Sequence, residues 1–348
     1  MVSEKRSKYI MVGIVAFSVL FASLSFYFYQ AFFSPNTLVE ADTPVSFYIR
    51  TGSDFETVRD ELVNQGIVQD LLTFSFVAKV MKYQERVLPG HYRIPPRLSN
   101  RELVTLLRSG RQTAVNVTFN NVRVDTDLAE KITRNLEMEE EDFLDLLRDT
   151  VLISRYGFEK ETILSIFIPN TYQVFWNVSP EGLFDRMYKE YERFWTDERK
   201  AKAATLGMSQ KEVSTLASIV QAETAKADER PRVAGVYINR LRINMALQAD
   251  PTLVFALGDF EIKRVLNVHK EIDSPYNTYK HVGLPPGPIN LPEISALDAV
   301  LNPESHGYLY FCAKDDFSGY HAFATNLRDH MNNARRYQNA LNRSKIYK

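Results

Sequence analysis

Residues 216–250 read LASIVQAETAKADERPRVAGVYINRLRINMALQAD, and the interpretation of the whole chain depends on this stretch. Just before it, SQKE at 209–212 has the capping-box spacing with which many helices begin. Within it, Leu216, Ile219 and Val220 recur at i, i+3 and i+4, which is the spacing of one helix face. The sequence therefore predicts a helix that begins at the capping box and buries an apolar stripe.

Glu223 occupies the next position of that stripe, at i+7. Its carboxyl group is expected to face the core, where desolvation penalises the charged form and raises the pKa. A glutamate that is partly protonated beside a cleft can act as a general acid. The alternative is a structural glutamate that pairs with an arginine such as Arg240 or Arg242.

Three segments carry a resemblance to a known family: LASIVQAET at 216–224, ERPRVAGVYINRLRINMALQADPT at 229–252 and SPYNTYKHVGLPPGPI at 274–289. In order and spacing they resemble the bacterial endolytic murein transglycosylase family, the YceG-like family. The similarity runs from about residue 45 to about residue 340. It implies that the glutamate before threonine in the first segment is catalytic, which here is Glu223. Many relatives carry another glutamate two residues earlier, where this chain has Gln221.

Further substrate contacts are expected in the matching segments. The candidates are Tyr172, Asn239, Gln248, Asp250, Tyr276, Asn277, Thr278, Tyr279 and Asn326. Four of them belong to the segment at 274–288, which contains too many Gly and Pro residues for regular structure. This segment is rich in hydroxyl and amide groups, which can bind sugar hydroxyls. The alternative is a purely structural loop.

Three of these candidates also have structural interpretations. Tyr172 either forms an aromatic wall against sugar rings or packs in the core, and core packing is favoured. Asn239 either orients the catalytic acid or satisfies backbone groups. Asp250 either binds substrate or caps the helix that Pro251 begins, and the cap is favoured.

The composition restricts the classes of function. The chain of 348 residues has 42 basic and 43 acidic residues, and no basic stripe of the kind that binds a phosphate backbone, so nucleic acid is not an expected partner. Its one cysteine, Cys312, excludes an internal disulfide framework. The six histidines lack the paired spacings of zinc motifs, and we expect neither a metal nor another cofactor.

The N-terminal segment is expected to cross a membrane as a helix. Residues 10–29 carry no charge and are enough to span a bilayer. Lys5, Arg6 and Lys8 precede them, so the positive-inside rule predicts a cytoplasmic N-terminus and an extracytoplasmic remainder. The alternative is a cleaved signal peptide. The apolar run is long for that, and bulky aromatic residues follow it where small residues are expected.

The predicted fold class is α+β, with a single N-terminal transmembrane helix, a small LysM-like β-α-α-β-α subdomain and a mixed helical/β catalytic domain. The expected boundaries are a cytoplasmic tail at 1–9, a transmembrane helix at 10–33, a tether at 34–44, the LysM-like subdomain at 45–111, a connecting region at 112–205 and the catalytic domain at 206–348. Resemblance to LysM modules, which hold glycan strands, implies sugar binding by the subdomain. The alternative is a spacer that holds the catalytic domain off the membrane.

Together these features indicate a membrane-anchored endolytic peptidoglycan lytic transglycosylase. The resemblance implies cleavage of the MurNAc-GlcNAc β-1,4 bond in nascent glycan strands, with formation of a 1,6-anhydroMurNAc end. The expected partners are glycan strands and the inner (cytoplasmic) membrane, with cell-wall synthases as candidate neighbours. Two alternatives stay open. One is a hydrolytic muramidase with Asp250 as the second carboxylate, and the other is a non-catalytic peptidoglycan-binding scaffold.

Overall fold

The computed structural model describes residues 2–37, 43–262 and 264–344. The chain divides into two compact units. The first unit comprises Met1–Asn116, Asn135–Glu137 and Gln173–Val178, and the second comprises Val117–Arg134, Met138–Tyr172 and Ser179–Lys348. Three short segments of the predicted connecting region, 112–116, 135–137 and 173–178, therefore belong to the first unit.

The first unit contains the predicted β-α-α-β-α order after a long N-terminal helix. Its elements are α1 (Val2–Phe33), β1 (Val45–Ile49), α2 (Phe55–Asn64), α3 (Leu71–Val80), β2 (Gly90–Ile94) and α4 (Asn100–Ser109). The two strands pair antiparallel, with Val45 opposite Ile94 and Ile49 opposite Gly90. The predicted order of elements is confirmed. The likeness to LysM modules, and with it sugar binding by this unit, stays a prediction.

Local signals explain where the helices of this unit begin and end. The Asp54 carboxylate accepts a hydrogen bond from the backbone N–H of Thr57 and so caps α2. Ser99 and Glu102 form a reciprocal capping box at the start of α4. Gly110 ends α4 in the left-handed region, with φ of 67°, which glycine adopts without strain.

The C-terminal end of α1 is packed into the first unit. Ala31 is fully buried, and its carbonyl oxygen accepts a hydrogen bond of 2.9 Å from Asn100 Nδ2. Asn36 Nδ2 donates in turn to Asn100 Oδ1 at 2.6 Å, and Thr37 forms an isolated β-bridge with Val68. The predicted tether therefore contains two buried residues near its start, Asn36 and Thr37. Its residues 38–42 lie outside the described residues, as does residue 1 of the predicted tail.

Helix α1 is long and apolar enough to cross a membrane. This property extends over Arg6–Phe33, 28 residues, by length and composition. The side chains of its central part, such as Phe17, Leu20 and Phe21, are exposed in the isolated chain. These features agree with the predicted transmembrane helix. Its insertion into a membrane and its orientation stay predictions.

The second unit is mostly helical. Strands β3 (Val115–Phe119) and β4 (Asn170–Val174) form a two-stranded sheet whose residues Val117–Phe119 and Asn170–Tyr172 belong to this unit. The helices are α5 (Asp125–Thr133), α6 (Glu140–Arg148), α7 (Thr150–Arg155), α8 (Pro180–Phe194), α9 (Asp197–Thr205), α10 (Gln210–Glu223), α11 (Arg230–Arg242), α12 (Asp250–Leu257), α13 (Ile294–Leu301) and α14 (Leu327–Arg343). Strands β5 (Tyr310–Ala313) and β6 (His321–Ala324) form an antiparallel hairpin.

Helix α10 is the central helix of this unit and packs against α11, α12 and α13. The predicted capping box is present, since Glu212 N–H donates to Ser209 Oγ at 3.2 Å and Ser209 N–H donates to Glu212 Oε2 at 2.7 Å. Leu216, Ile219 and Val220 are all fully buried, as the spacing predicts. The helix ends at Glu223, so its last side chain is the predicted acid.

We expect Asn100→Ala to loosen the junction between α1 and α4. The substitution leaves the buried carbonyl of Ala31 without its donor, which costs about 1–3 kcal/mol. Backbone amides of α4 should therefore exchange with deuterium about tenfold faster or more in the full chain. Asn64→Ala, at an exposed position at the end of α2, is the control. Equal protection in the two variants would contradict this role of Asn100.

Candidate active site

The carboxyl group of Glu223 is half-buried at the C-terminal end of α10. Its Oε1 accepts a hydrogen bond of 2.7 Å from the hydroxyl of Tyr237 on α11. Tyr237 is 1% exposed, because it belongs to the buried face of α11 that also contains Val233 and Val236. No local pattern in the sequence indicates that the Tyr237 hydroxyl binds the acid.

The surroundings of Glu223 favour its protonated form. Burial is the largest influence and raises the pKa of this carboxyl group to about 7 from an ordinary value of 4.5. The hydrogen bond from Tyr237 acts in the opposite direction, because it stabilises the carboxylate. The negative charge of Asp250 raises the pKa further, and the positive charge of Arg240 lowers it. Glu223 therefore has the protonation equilibrium of a general acid near neutral pH.

Arg240 does not form the ion pair that was the alternative interpretation of Glu223. Its Nε donates to the carbonyl of Leu309 at 2.6 Å, and its Nη1 donates to the carbonyl of Leu247 at 2.5 Å. Burial lowers the pKa of the guanidinium group. Arg242, the other candidate partner, is exposed. Arg240 thus joins the backbone just before Gln248 to the backbone just before β5. Its positive charge lowers the pKa of Glu223 without a direct bond to the carboxyl group.

Asp250 and Tyr279 form the second polar pair of the site. The Tyr279 hydroxyl donates to Asp250 Oδ1 at 2.5 Å. Burial, followed by this bond to the carboxylate, raises the pKa of Tyr279. Asp250 is the first residue of α12, and Ala249 occupies the N-cap position, so Asp250 is not the cap that the sequence favoured. Its carboxylate instead faces the site.

The loop at 274–288 holds the turn that precedes α12. Gln248 has a left-handed backbone with φ of 50°, and its N–H donates to the carbonyl of Thr278 at 3.0 Å. Ala249 N–H donates to Thr278 Oγ1, also at 3.0 Å. These bonds tie the backbone beside Asp250 to the backbone beside Tyr279. A strained residue next to a polar cluster is common at functional sites, where the surrounding contacts hold it in place.

Two cavities share Glu223 and Asp250 as a common wall. The larger has a volume of about 960 Å³ and is also lined by Asn121, Arg123, Phe255, Phe260, Asn290 and Tyr337 among other residues. The smaller has a volume of about 430 Å³ and is also lined by Tyr237, Gln248, Tyr279, Tyr310, His321 and His330 among others. Both volumes lie within the range of ligand-binding cavities. The acid therefore lies between two concave surfaces that contain aromatic rings and polar groups.

Some predicted substrate contacts have structural roles instead. Tyr172 is 6% exposed, and its ring stacks on Phe119 with 5.5 Å between the centroids. Asn239 donates to the carbonyls of His306 and Tyr308 at 2.8 and 3.1 Å. Asn326 caps α14 by accepting from a backbone N–H. Neither cavity is lined by Tyr172, Asn239 or Asn326.

The candidates in the loop at 274–288 divide in the same way. Asn277 is fully buried and donates to the carbonyls of Lys270 and Ile272, both at 2.9 Å. Thr278 is also buried and bonds the backbone as described above. The Tyr276 ring packs on Phe255 at 4.8 Å, and burial raises the pKa of its hydroxyl to about 12. Among these four loop candidates, Tyr279 lines a cavity.

The sequence did not predict the polar contacts that join Thr224, the residue after Glu223, to Glu229 and His321. Thr224 Oγ1 donates to Glu229 Oε2 at 3.2 Å, and Glu229 also accepts the N–H and Nδ1 of His321 at 2.8 and 2.6 Å. Glu229 is 4% exposed. A buried carboxylate thus joins the residue after the acid to strand β6. The ERP run at 229–231 could have suggested a helix start, but no local pattern places His321 beside it.

Gln221 stabilises the opposite side of the helix end. Its Nε2 donates to Asn290 Oδ1 at 3.2 Å, and its Oε1 accepts the N–H of Glu293 at 2.7 Å. Asn290 Nδ2 donates to the carbonyl of Ser218 at 2.8 Å. The side-chain amides of Gln221 and Asn290 therefore fasten the segment before α13 to α10.

We expect Glu223→Gln to stabilise the full chain in detergent, and to do so more at high pH. The native state holds a proton on this carboxyl group up to pH about 7, whereas the unfolded chain releases it near 4.5. Between these values the native state binds more protons, so wild-type stability falls as pH rises. At pH 8 the variant should be more stable by at most about 3 kcal/mol, and at pH 4 the difference should vanish.

Denaturant unfolding of both proteins at pH 5 and pH 8 measures this difference. Glu192→Gln, which neutralises an exposed carboxylate on α8, is the matched control and should change stability little at either pH. A stability difference for Glu223→Gln that does not depend on pH would contradict the raised pKa.

Comparison with known proteins finds one family and several relatives that are similar to this chain. The YceG-like family matches residues 47–336. An endolytic murein transglycosylase of Streptococcus pneumoniae strain R6 is 26% identical over 374 residues, covering 96% of this chain and 66% of that protein. One of Bacillus subtilis strain 168 is 27% identical over 321 residues and covers 87% of each chain.

One solved structure is also similar to this chain. The crystal structure of a yceG-like protein from Listeria monocytogenes is 25% identical, with a TM-score of 0.55, and covers 84% of this chain and 99% of that one. This chain spans 66% of the length of the Streptococcus pneumoniae relative that it matches. The family match extends over most of the sequence and includes Glu223 and Asp250, which line both cavities. The chain therefore belongs to the YceG-like family.

Proposed function

We propose that this chain is a membrane-anchored endolytic lytic transglycosylase of peptidoglycan. The observation that carries the proposal is the raised pKa of Glu223, about 7, at the wall shared by two cavities. Membership of the YceG-like family and the names of the curated relatives support the reaction class and the substrate. The bond cleaved is the β-1,4 bond between MurNAc and GlcNAc.

The reaction has two steps that use one carboxyl group. Protonated Glu223 donates its proton to the glycosidic oxygen while the bond from that oxygen to C1 of MurNAc breaks and positive charge develops on the ring. The C6 hydroxyl oxygen of the same sugar then bonds to C1, and its proton passes to the Glu223 carboxylate. One C–O bond breaks and one forms, so a 1,6-anhydro end results without water.

The tethered nucleophile explains why a single acid suffices. The attacking oxygen belongs to the ring that is attacked, which gives it a much higher effective concentration than a captured water molecule. Tyr237 stabilises the carboxylate that exists between the two steps, because its hydroxyl donates to Oε1. The negative charge of Asp250, on the same cavity walls, favours the protonated acid before the reaction and the positive ring during it.

The two cavities support cleavage inside a strand rather than at its end. Glu223 and Asp250 line both, so sugar units can extend to either side of the reacting bond. Aromatic side chains are available on each side, including Phe255 and Phe260 in the larger cavity and Tyr310 in the smaller. Such rings pack well against the apolar faces of sugars.

The anchor is proposed from α1. Its span Arg6–Phe33 is sufficient for a bilayer, and the basic residues that precede its uncharged part at 10–29, Lys5, Arg6 and Lys8, favour an N-terminus in the cytoplasm. The catalytic unit would then act on glycan strands outside the cytoplasmic membrane, where nascent strands are made. Cell-wall synthases remain candidate neighbours there.

A hydrolytic muramidase is the second candidate, because Asp250 lines the same cavities as Glu223. In that reaction Asp250 would position a water molecule for attack on C1. The Tyr279 hydroxyl already bonds its Oδ1 at 2.5 Å, so this oxygen is occupied by a protein donor rather than by a water molecule, which favours the lytic reaction. The mass of the product separates the two candidates.

We expect purified full-length protein to release fragments from uncrosslinked peptidoglycan glycan that are one water lighter than hydrolysis products. Glu223→Gln keeps the shape of the side chain but cannot donate the proton, so the cleavage rate should fall at least about a hundredfold. Glycan binding should persist, and the control Glu192→Gln should cleave normally. Mass spectrometry of timed digests gives both results. Unchanged cleavage by Glu223→Gln would refute the assignment, and products that contain the added water would favour the muramidase.

We expect the alkaline limb of the pH–rate profile to move in opposite directions in two variants. Cleavage requires protonated Glu223, so wild-type kcat/KM should fall above pH about 7. Tyr237→Phe removes a bond that lowers the pKa, and its limb should move to higher pH. Asp250→Asn removes a charge that raises the pKa, and its limb should move to lower pH. Variants that lose rate without moving the limb would contradict this account of the acid.

A further inference from the structure

Helix α3 of the first unit exposes an apolar stripe. Leu72, Phe76 and Val80 follow one another at i, i+4 and i+8, on one side of the helix, and are 79%, 39% and 53% exposed. The opposite side packs in the core, where Phe74, Val77 and Ala78 are fully buried in the described structure. A row of large apolar side chains on a surface indicates a site of interaction with another apolar surface.

This stripe adjoins the end of the proposed anchor. The rings of Phe76 and Phe32 on α1 pack with 6.2 Å between their centroids and an interplanar angle of 89°. The centroid of the Tyr27 ring lies 6.4 Å from that of Phe76. Tyr27 and Phe32 lie in the last two turns of the span Arg6–Phe33. The apolar surface of α1 therefore continues onto α3 without an intervening polar segment at this contact.

The charges near the stripe suit a lipid surface. Residues 71–80 contain no acid, and Lys79 is exposed beside Val80. A lysine can bury its methylene chain in apolar surroundings while its ammonium group reaches phosphate headgroups. The Arg101 guanidinium lies over the Phe33 ring, 5.7 Å from its centroid, which adds positive charge where α1 ends. Cationic groups beside exposed apolar residues are typical of helices that lie in the membrane interface.

We propose that α3 lies in the interface of the bilayer that α1 spans, with Leu72, Phe76 and Val80 among the lipid acyl chains. The occupant of this surface is thus an anionic phospholipid bilayer. The inference rests on the proposed membrane anchor and adds that the first unit is held against the membrane. Because the Ala31–Asn100 hydrogen bond joins α1 to α4, lipid contact at α3 fixes the orientation of this unit relative to the bilayer.

Depth-dependent quenching in vesicles tests this contact on the full chain. Cys312→Ala removes the one native thiol, and Leu72→Cys then carries a fluorophore that senses polarity. The protein is reconstituted into phosphatidylethanolamine–phosphatidylglycerol vesicles in which part of the lipid carries bromine near the headgroup end of the acyl chains. Phe17→Cys, in the middle of α1, reports the anchor. Ser109→Cys, exposed at the end of α4 away from Asn100, is the control for a label on the same unit.

The label at residue 72 should lose about half of its emission to bromolipid, as expected for insertion of about 5–10 Å. The label at residue 109 should lose little and should be quenched by aqueous iodide instead. If bromolipid quenches the label at residue 17 while iodide quenches the label at residue 72, the lipid contact of α3 is overturned and the membrane anchor is not. No lipid quenching at residue 17 would overturn the anchor and the inference together. A label at residue 72 that is protected from both quenchers would indicate a second protein copy and overturn the lipid contact.

Discussion

The hydrogen bond from the Tyr237 hydroxyl to Glu223 joins the end of α10 to the middle of α11 at a partly buried position. An ionised carboxylate at this place lacks the hydration it has in solution, which is why burial dominates its pKa. The position also lies at the C-terminal end of a helix, where the partial negative charge of the backbone further disfavours an anion. The neutral hydroxyl of Tyr237 compensates part of this cost by donating to the carboxyl group. The balance keeps the proton available near neutral pH.

Other polar side chains of the second unit, such as those of Arg240 and Thr278, bond backbone groups near the site rather than the carboxyl group of Glu223. Arg240 donates its guanidinium hydrogen bonds to the backbone carbonyls of Ala246, Leu247 and Leu309, and its charge influences the pKa of Glu223 less than burial does. Thr278 bonds the backbone on both sides of the turn at 248–249, which sets the direction of the Asp250 carboxylate. The irregular loop thus fixes the part of the smaller cavity's wall that contains Gln248, Asp250 and Tyr279. In the proposed function, a glycan strand would fill the space beside this wall.

Much of this could be predicted from sequence, because the signals are local. The capping box and the apolar stripe of α10 fix which residues are buried, and the i+7 position follows from helix geometry. The bounds of α3 and β2, Leu71–Val80 and Gly90–Ile94, agree with the β-α-α-β-α pattern in the same way. Local periodicity determines which face of an element is buried, whatever lies against it.

The remainder depends on contacts between distant segments. Asn277 and Thr278 have the chemistry that binds sugar hydroxyls, but in this fold their side chains bond the backbone, and composition does not reveal that direction. The bond from Tyr237 to Glu223 requires the packing of α11 on α10, and the bond from His321 to Glu229 joins residues 92 positions apart. The cost of leaving buried polar groups unpaired selects these partners, and it acts only once the chain is folded.

A direct measurement of the Glu223 pKa tests the central claim. Infrared difference spectra of the full chain, recorded across pH and compared with those of Glu223→Gln, isolate the C=O stretch of this protonated carboxyl group. We expect the signal to persist at pH 6 and to disappear with a midpoint near 7. A midpoint near 4.5, the ordinary value for glutamate, would mean that the carboxyl group is solvated and would contradict the proposed acid.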